Sequence, residues 1–143
     1  MLYVKDIMSR KVETIEHSAT ISQAAVRMAK LKIGSLVVLE KSKPAGVLTE
    51  GDVSRAVAKG LDVKKIIVKL IMGKPLITTT EDVRVEEAAK VMASSRIKKL
   101  PVLDGGKLIG IVTQTDIVGS SFDLVTALKE MVRARYRPPD FQP

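Results

Sequence analysis

Two matching heptapeptides carry the residue types with the clearest chemical potential. Gly46-Val47-Leu48-Thr49-Glu50-Gly51-Asp52 recurs sixty-four residues later as Gly110-Ile111-Val112-Thr113-Gln114-Thr115-Asp116. In each, a glycine opens an apolar run, the run ends on a hydroxyl, and a carboxylate follows three residues on. A threonine with an acid at the third position after it is the signature of a capping box, in which Thr49 or Thr113 caps a helix and Asp52 or Asp116 sits in its first turn. The same groups also suit a ligand. A helix N-terminus attracts phosphate, and a carboxylate can accept both hydroxyls of a ribose. Glycine within a strand permits close approach of another group to the backbone, and Gly46 and Gly110 stand three residues before the threonine both times. The residues alone leave both readings open.

The elements that must position these groups are themselves duplicated. A shift of 64 aligns residues 4–55 with 68–119 without a gap, and 17 of the 52 pairs are identical. Within the first copy, residues 3–8 read as a short helical turn and 12–15 as a strand. Thr20-x-x-Gln23 is a capping box opening a helix to Leu31, with Ile21, Ala24, Ala25 and Met28 on one face. Residues 36–39 form a strand covered on both faces, 41–44 a polar turn, and 45–48 a third strand. A second helix runs from about Glu50 to Lys59 and stops at Gly60. The second copy is expected to repeat this order, with Asp104-Gly105-Gly106 as its hairpin turn. The reading is α+β: two tandem β-α-β-β-α repeats, residues 1–62 and 63–121, that share a core because one unit is too small to be stable alone. Residues 122–143 read as an amphipathic C-terminal helix followed by a basic, proline-containing tail.

Composition narrows the function classes. Hydrophobic residues make up 45% of the 143, which predicts a packed core, and aromatics only 3%, so that core is aliphatic. No cysteine is present and His17 is the single histidine, which removes disulfides, thiolate metal sites and histidine-rich sites. No apolar run is long enough for a membrane span, and a cytoplasmic protein is expected. The net charge of +8 is spread along the chain. It favours polyanions in general, but Tyr3, Phe122, Tyr136 and Phe141 lie outside the motif segments and offer no base-stacking platform, so nucleic acid is not the expected partner. The absence of Asn beside abundant Lys, Arg and Glu suits a thermophile. With no metal cluster and no phosphate-binding glycine loop, the matching carboxylates fit two binding sites better than acid–base catalysis. No catalytic residue is assigned and no cofactor is required.

Taken together, the motifs resemble the CBS-domain pair, or Bateman module. The resemblance rests on Val4-Lys5-Asp6-Ile7-Met8 and Val68-Lys69-Leu70-Ile71-Met72, on Ile33-Gly34-Ser35-Leu36-Val37-Val38 and Ile97-Lys98-Lys99-Leu100-Pro101-Val102, and on the two Gly-x-x-Thr-x-x-Asp ends. It covers residues 1 to about 120. It implies a pseudo-twofold pair with two clefts between the repeats, adenosine ligands such as AMP, ADP, ATP or S-adenosylmethionine, and assembly into a homodimer that acts on a separate regulated protein. Position by position it implies that Asp52 and Asp116 hold ribose hydroxyls and that Thr49 and Thr113 contact ribose or phosphate. Val12 and Thr14, and Leu76 and Thr78, are implied to line the base pockets. Lys98 and Lys99 fall at positions that face phosphate, whereas their counterparts Gly34 and Ser35 are uncharged. The expectation is therefore one phosphate-preferring cleft built from Thr113, Asp116, Lys98 and Lys99, and a different one around Thr49 and Asp52.

Overall fold

A computed structural model describes residues 1–120; the expected C-terminal helix and tail lie outside the described residues. The element order is α1 (Val4–Ile7), β1 (Thr14–Glu16), α2 (Ile21–Leu31), β2 (Ser35–Glu40), β3 (Lys43–Thr49) and α3 (Glu50–Ala58), then a 3₁₀ turn (Val68–Leu70), α4 (Val85–Ser95), β4 (Lys99–Asp104), β5 (Lys107–Thr113) and α5 (Gln114–Gly119). The α+β repeat read from the sequence is present; β2 and β3 extend one or two residues beyond the apolar runs, and β1 is shorter and starts two residues later than the 12–15 expected.

Local chemistry explains most boundaries. Thr20 and Gln23 close the expected capping box at α2. At α4 the equivalent N-cap is Arg84, which makes no side-chain cap; Glu86 and Glu87 in the first turn complement the helix dipole in its place. Both hairpins turn through two residues of positive φ, Lys41 and Ser42 in the first and Gly105 and Gly106 in the second, as a two-residue type I′ connection demands. Each hairpin carries an irregularity at the same place, between Val38 and Leu39 and between Val102 and Leu103.

The second repeat departs from the first at its opening strand. In the first, β1 runs parallel to β2, and Val37 donates its N–H to Glu13. The matching residue is Pro101, which has no N–H to give. Residues 76–79 therefore form no strand; a single bridge between Thr79 and Val102 remains. The expectation of a full strand there is corrected by one proline.

The two repeats exchange their lead-in segments. Val4 and Met8 pack into the core of the second repeat with Ala88, Met92, Leu100, Val102 and Val112. Val68 and Met72 pack into the core of the first with Ala24, Met28, Leu36, Val38 and Leu48. Hydrogen bonds fix the exchange: Ser9 and Ile111 bond each other's backbone at 2.9 Å in both directions, and Gly73 donates to Val47 at 2.8 Å. Ion pairs follow the same path, Lys5 to Asp82 at 3.2 Å and Lys69 to Glu40 at 2.8 Å. Neither repeat completes its core without the other's lead-in, so the boundary between sequence repeats does not separate two independent cores.

Candidate functional site

The exchanged lead-ins explain the two motif glycines. A Cβ on Gly46 would stand 2.7 Å from Met72 Sδ and 2.8 Å from the Gly73 carbonyl; on Gly110 it would stand 2.8 Å from Met8 Sδ and 2.9 Å from the Ser9 carbonyl. The group that approaches each glycine is the other repeat's lead-in, so the glycines serve the fold and do not themselves mark a ligand.

The threonines and aspartates form the capping boxes that their spacing suggested. Thr49 N–H and Oγ1–H donate to Asp52 Oδ2 at 2.8 and 3.0 Å, and Asp52 N–H donates back to Thr49 Oγ1 at 3.2 Å. In the second copy Thr113 N–H donates to Asp116 Oδ2 at 2.8 Å, and Asp116 N–H to Thr113 Oγ1 at 3.1 Å. The first helical amides are also engaged, Glu50 N–H with the Gly34 carbonyl and Gln114 N–H with the Lys98 carbonyl. These helix starts consequently present fewer unpaired N–H groups to an anion than the sequence implied. Oδ1 of each aspartate lies outside the box: in Asp52 it accepts from Arg55 Nη2–H at 2.7 Å, and among the described residues no donor reaches that of Asp116.

One of these carboxylates faces a cavity of about 760 Å³, within the range of about 300–1,000 Å³ typical of small-molecule sites. The first repeat contributes Gly34, Thr49, Glu50, Asp52 and Arg55 to its lining, the crossing segment Lys74, Pro75, Leu76 and Ile77, and the second repeat Arg96, Lys98 and Lys99. The cavity is thus inter-repeat, built on Asp52 from one copy and on lysines from the other. Five basic side chains, Arg55, Lys74, Arg96, Lys98 and Lys99, face two carboxylates, Glu50 and Asp52. Such a lining attracts anions and opposes a cationic ligand centre. Leu76, Pro75 and Ile77 supply an apolar wall on the same side.

This placement adds a second neighbourhood to the expected grouping. Lys98 and Lys99 line the cleft of Thr49 and Asp52, and they also adjoin the helix start of their own repeat, where Lys99 pairs with Thr113 across β4 and β5 and the Lys98 carbonyl accepts from Gln114 N–H at 2.9 Å. Lys98 also lines a smaller cavity of about 400 Å³ between α4 and α5, beside Gln114 and Ile117. Ser35 and Thr14 sit in the β2 ladder, opposite Thr49 and Val37 respectively. Val12, Thr14, Ser35 and Thr78 line neither cavity.

Three basic residues of the cleft were missed. Arg55 follows Asp52 by three, a helical neighbour that the repeat hides because its counterpart is Gly119. Arg96 is the α4 C-cap with φ 54°, the left-handed conformation usually left to glycine. A basic residue just past a helix end, two before Lys98, was its only signal. Lys74 had none beyond its match to Arg10.

Comparison with known proteins agrees with this architecture. The family model described as CBS domain matches residues 4–59 and 63–123. A Methanopyrus kandleri protein, MK0525, is 38% identical over 133 residues, covering 91% of this chain and 68% of its own length. The CBS domain-containing protein YhcV of Bacillus subtilis is 33% identical over 118 residues, 82% of this chain and 84% of its own. Among solved structures, the CBS domain pair of protein MJ0100, in complex with 5-methylthioadenosine and S-adenosyl-L-methionine, superposes with a TM-score of 0.72 at 34% identity, over 81% of this chain and 96% of that one.

Proposed function

The chain belongs to the CBS-domain family, with two CBS repeats over most of its length, and from that premise we propose that it is a regulatory module whose inter-repeat cleft binds an adenine nucleotide, AMP, ADP or ATP. One observation carries the reading: the Asp52 carboxylate from one repeat and the cations Arg96, Lys98 and Lys99 from the other converge on a single cavity. A carboxylate pre-set by a capping box suits a ribose diol, and a row of cations at the far wall suits the phosphates. The ligand then bridges the two repeats, so its arrival changes how they are held together and can be read by a separate partner protein in the cytoplasm. No hydrolysis is assigned to the site; it binds.

A second reading has a specific observation behind it. The similar pair of MJ0100 is bound to S-adenosyl-L-methionine and 5-methylthioadenosine, so a sulfonium or thioether adenosine ligand is the alternative. The five basic side chains oppose a sulfonium cation. Nucleic-acid binding has only the net charge of +8 in its favour.

Calorimetric titration with AMP, ADP, ATP, adenosine and S-adenosylmethionine tests these together. Nucleotides binding at least about tenfold tighter than S-adenosylmethionine is the expected result; the reverse order replaces this reading with the alternative. Steeply salt-dependent RNA or DNA binding without any adenine-compound binding would overturn both.

A further inference from the structure

The two motif copies differ at a pair of positions that compensate each other. The first copy has Gly51 and Arg55; the second has Thr115 and Gly119. A Cβ on residue 51 would stand 3.1 Å from Arg55 Nη1 and 3.5 Å from Nη2. The missing side chain is what lets the guanidinium lie back over the first turn of α3. There Nη2 donates to Asp52 Oδ1 at 2.7 Å. In the second copy a threonine fills the first position, and a Cβ at 119 would meet nothing within 4 Å.

The difference matters for the carboxylates. A carboxylate offers about four lone-pair sites. Asp52 already accepts from Thr49 N–H, Thr49 Oγ1–H and Arg55 Nη2–H, which leaves about one. Asp116 accepts from Thr113 N–H, and among the described residues no other donor reaches it, which leaves about three. A ribose diol needs two. The Asp116 carboxylate can take it as it stands, and the Asp52 carboxylate can do so only when Arg55 moves. Arg55 is able to move: its side chain is 66% exposed against 15% for Asp52, and such a pair contributes little to stability. Its own cleft, lined by Lys74, Arg96, Lys98 and Lys99, is where an anionic ligand group would wait for it.

We propose that Arg55 is a selectivity residue that makes the Asp52 cleft discriminate phosphorylated from unphosphorylated adenine ligands. It holds the carboxylate that the ribose requires, and only a ligand bearing phosphate offers the guanidinium a replacement partner. The Asp116 side of the pair, lacking this arginine, discriminates less. The inference rests on the adenine-nucleotide reading above and deepens it.

The test is calorimetry with adenosine and ADP on protein carrying Asp116→Ala, which leaves the Asp52 cleft as the one to read. If circular dichroism shows that this variant is unfolded, Asp116→Asn preserves the cap and replaces it. Adding Arg55→Ala should strengthen adenosine by roughly two- to fivefold, the worth of an exposed ion pair, and weaken ADP by about tenfold, the worth of a hydrogen bond to a charged group. Changes of opposite sign for the two ligands are the expected signature. Changes of the same sign, or no change for adenosine while both ligands still bind, overturn the role of Arg55 and leave the nucleotide reading standing. Absence of adenine-compound binding to the unmutated protein overturns the nucleotide reading itself. The pair Thr115→Gly and Gly119→Arg, placed in the Asp52→Ala protein, should raise its ADP-to-adenosine preference; an unchanged preference counts against the proposal.

Discussion

Met72 Sδ lies 2.7 Å from the point where a Cβ of Gly46 would stand, with the Gly73 carbonyl 2.8 Å from the same point. The relationship links one repeat's strand to the other repeat's lead-in, and it recurs between Met8 and Gly110. A methyl group there would meet a flexible thioether, which can yield, and a carbonyl fixed by the bond between Gly73 and Val47, which cannot. Replacing Gly46 with Ala should therefore destabilise the fold by about 1–3 kcal/mol, the range for overpacked cores. That outweighs the roughly 0.4–1 kcal/mol gained from a stiffer unfolded chain. Urea unfolding measures the difference. Combining it with Met72→Ala should recover only part of the loss, because the carbonyl stays. A stability equal to the parent's would show that the exchanged lead-in is loosely held.

The repeat was legible because identical apolar positions, turn residues and capping boxes recur at one offset. The lead-in exchange was not: an apolar Val4 and Met8 must be buried somewhere, but nothing in their own segment says in whose core. That single unknown also hid that Lys98 and Lys99 line the cavity of Asp52. The strand expected at residues 76–79 failed for a reason visible only in register, since the cost of Pro101 appears once its partner is known to be the counterpart of Glu13. The glycines were read toward a ligand because sequence reports that space is needed and not what fills it.

Arg96 and Lys32 occupy matching helix C-caps with φ of 54° and 55°. A non-glycine residue held in this region stores about 1 kcal/mol or somewhat more. Arg96 lines the cleft, so the strain is expected to have a use. Changing Arg96 to Gly should raise stability by about 0.5–1 kcal/mol and weaken ADP severalfold. A variant less stable than the parent would show that the arginine stem packs for the fold.

Glu40 tests the ion pair that holds the second lead-in to the first repeat. The hydrogen bond from Lys69 holds its carboxyl below the usual value; burial opposes this, and the charges of Lys69, His17 and Lys41 reinforce it. A depressed carboxyl contributes stability above its unfolded value of 4.5 and loses it as pH falls through the lower folded value. Glu40→Gln should lower the melting temperature slightly near neutral pH, and the gap to the parent should close below pH 4.5. A gap that persists in acid would point to packing and not charge.

Val26 on α2, Val57 on α3 and Leu70 are 65%, 59% and 66% exposed. If these side chains form one patch, it is the candidate face for an interface. A homodimer of twice 15.5 kDa is expected, and Val26→Glu with Val57→Glu should shift light scattering toward the monomer mass. A monomeric parent at tens of micromolar rejects the interface.

Lys98 and Lys99 decide between the two ways of grouping the site. Both line the Asp52 cleft, and Lys98 alone also borders the smaller cavity near Gln114. If they read phosphate in the Asp52 cleft, changing both to Ala should weaken ADP by about 1–3 kcal/mol there. The lower end is expected because Lys98 is exposed and partly screened. Adenosine should lose little, since it offers them no anion. The loss should appear in protein carrying Asp116→Ala and vanish in protein carrying Asp52→Ala. Lys99→Ala alone should show the same dependence more cleanly, since Lys99 does not border the second cavity. A loss that follows Asp116 instead would restore the grouping read from the sequence, and equal losses for ADP and adenosine would assign the lysines to the fold.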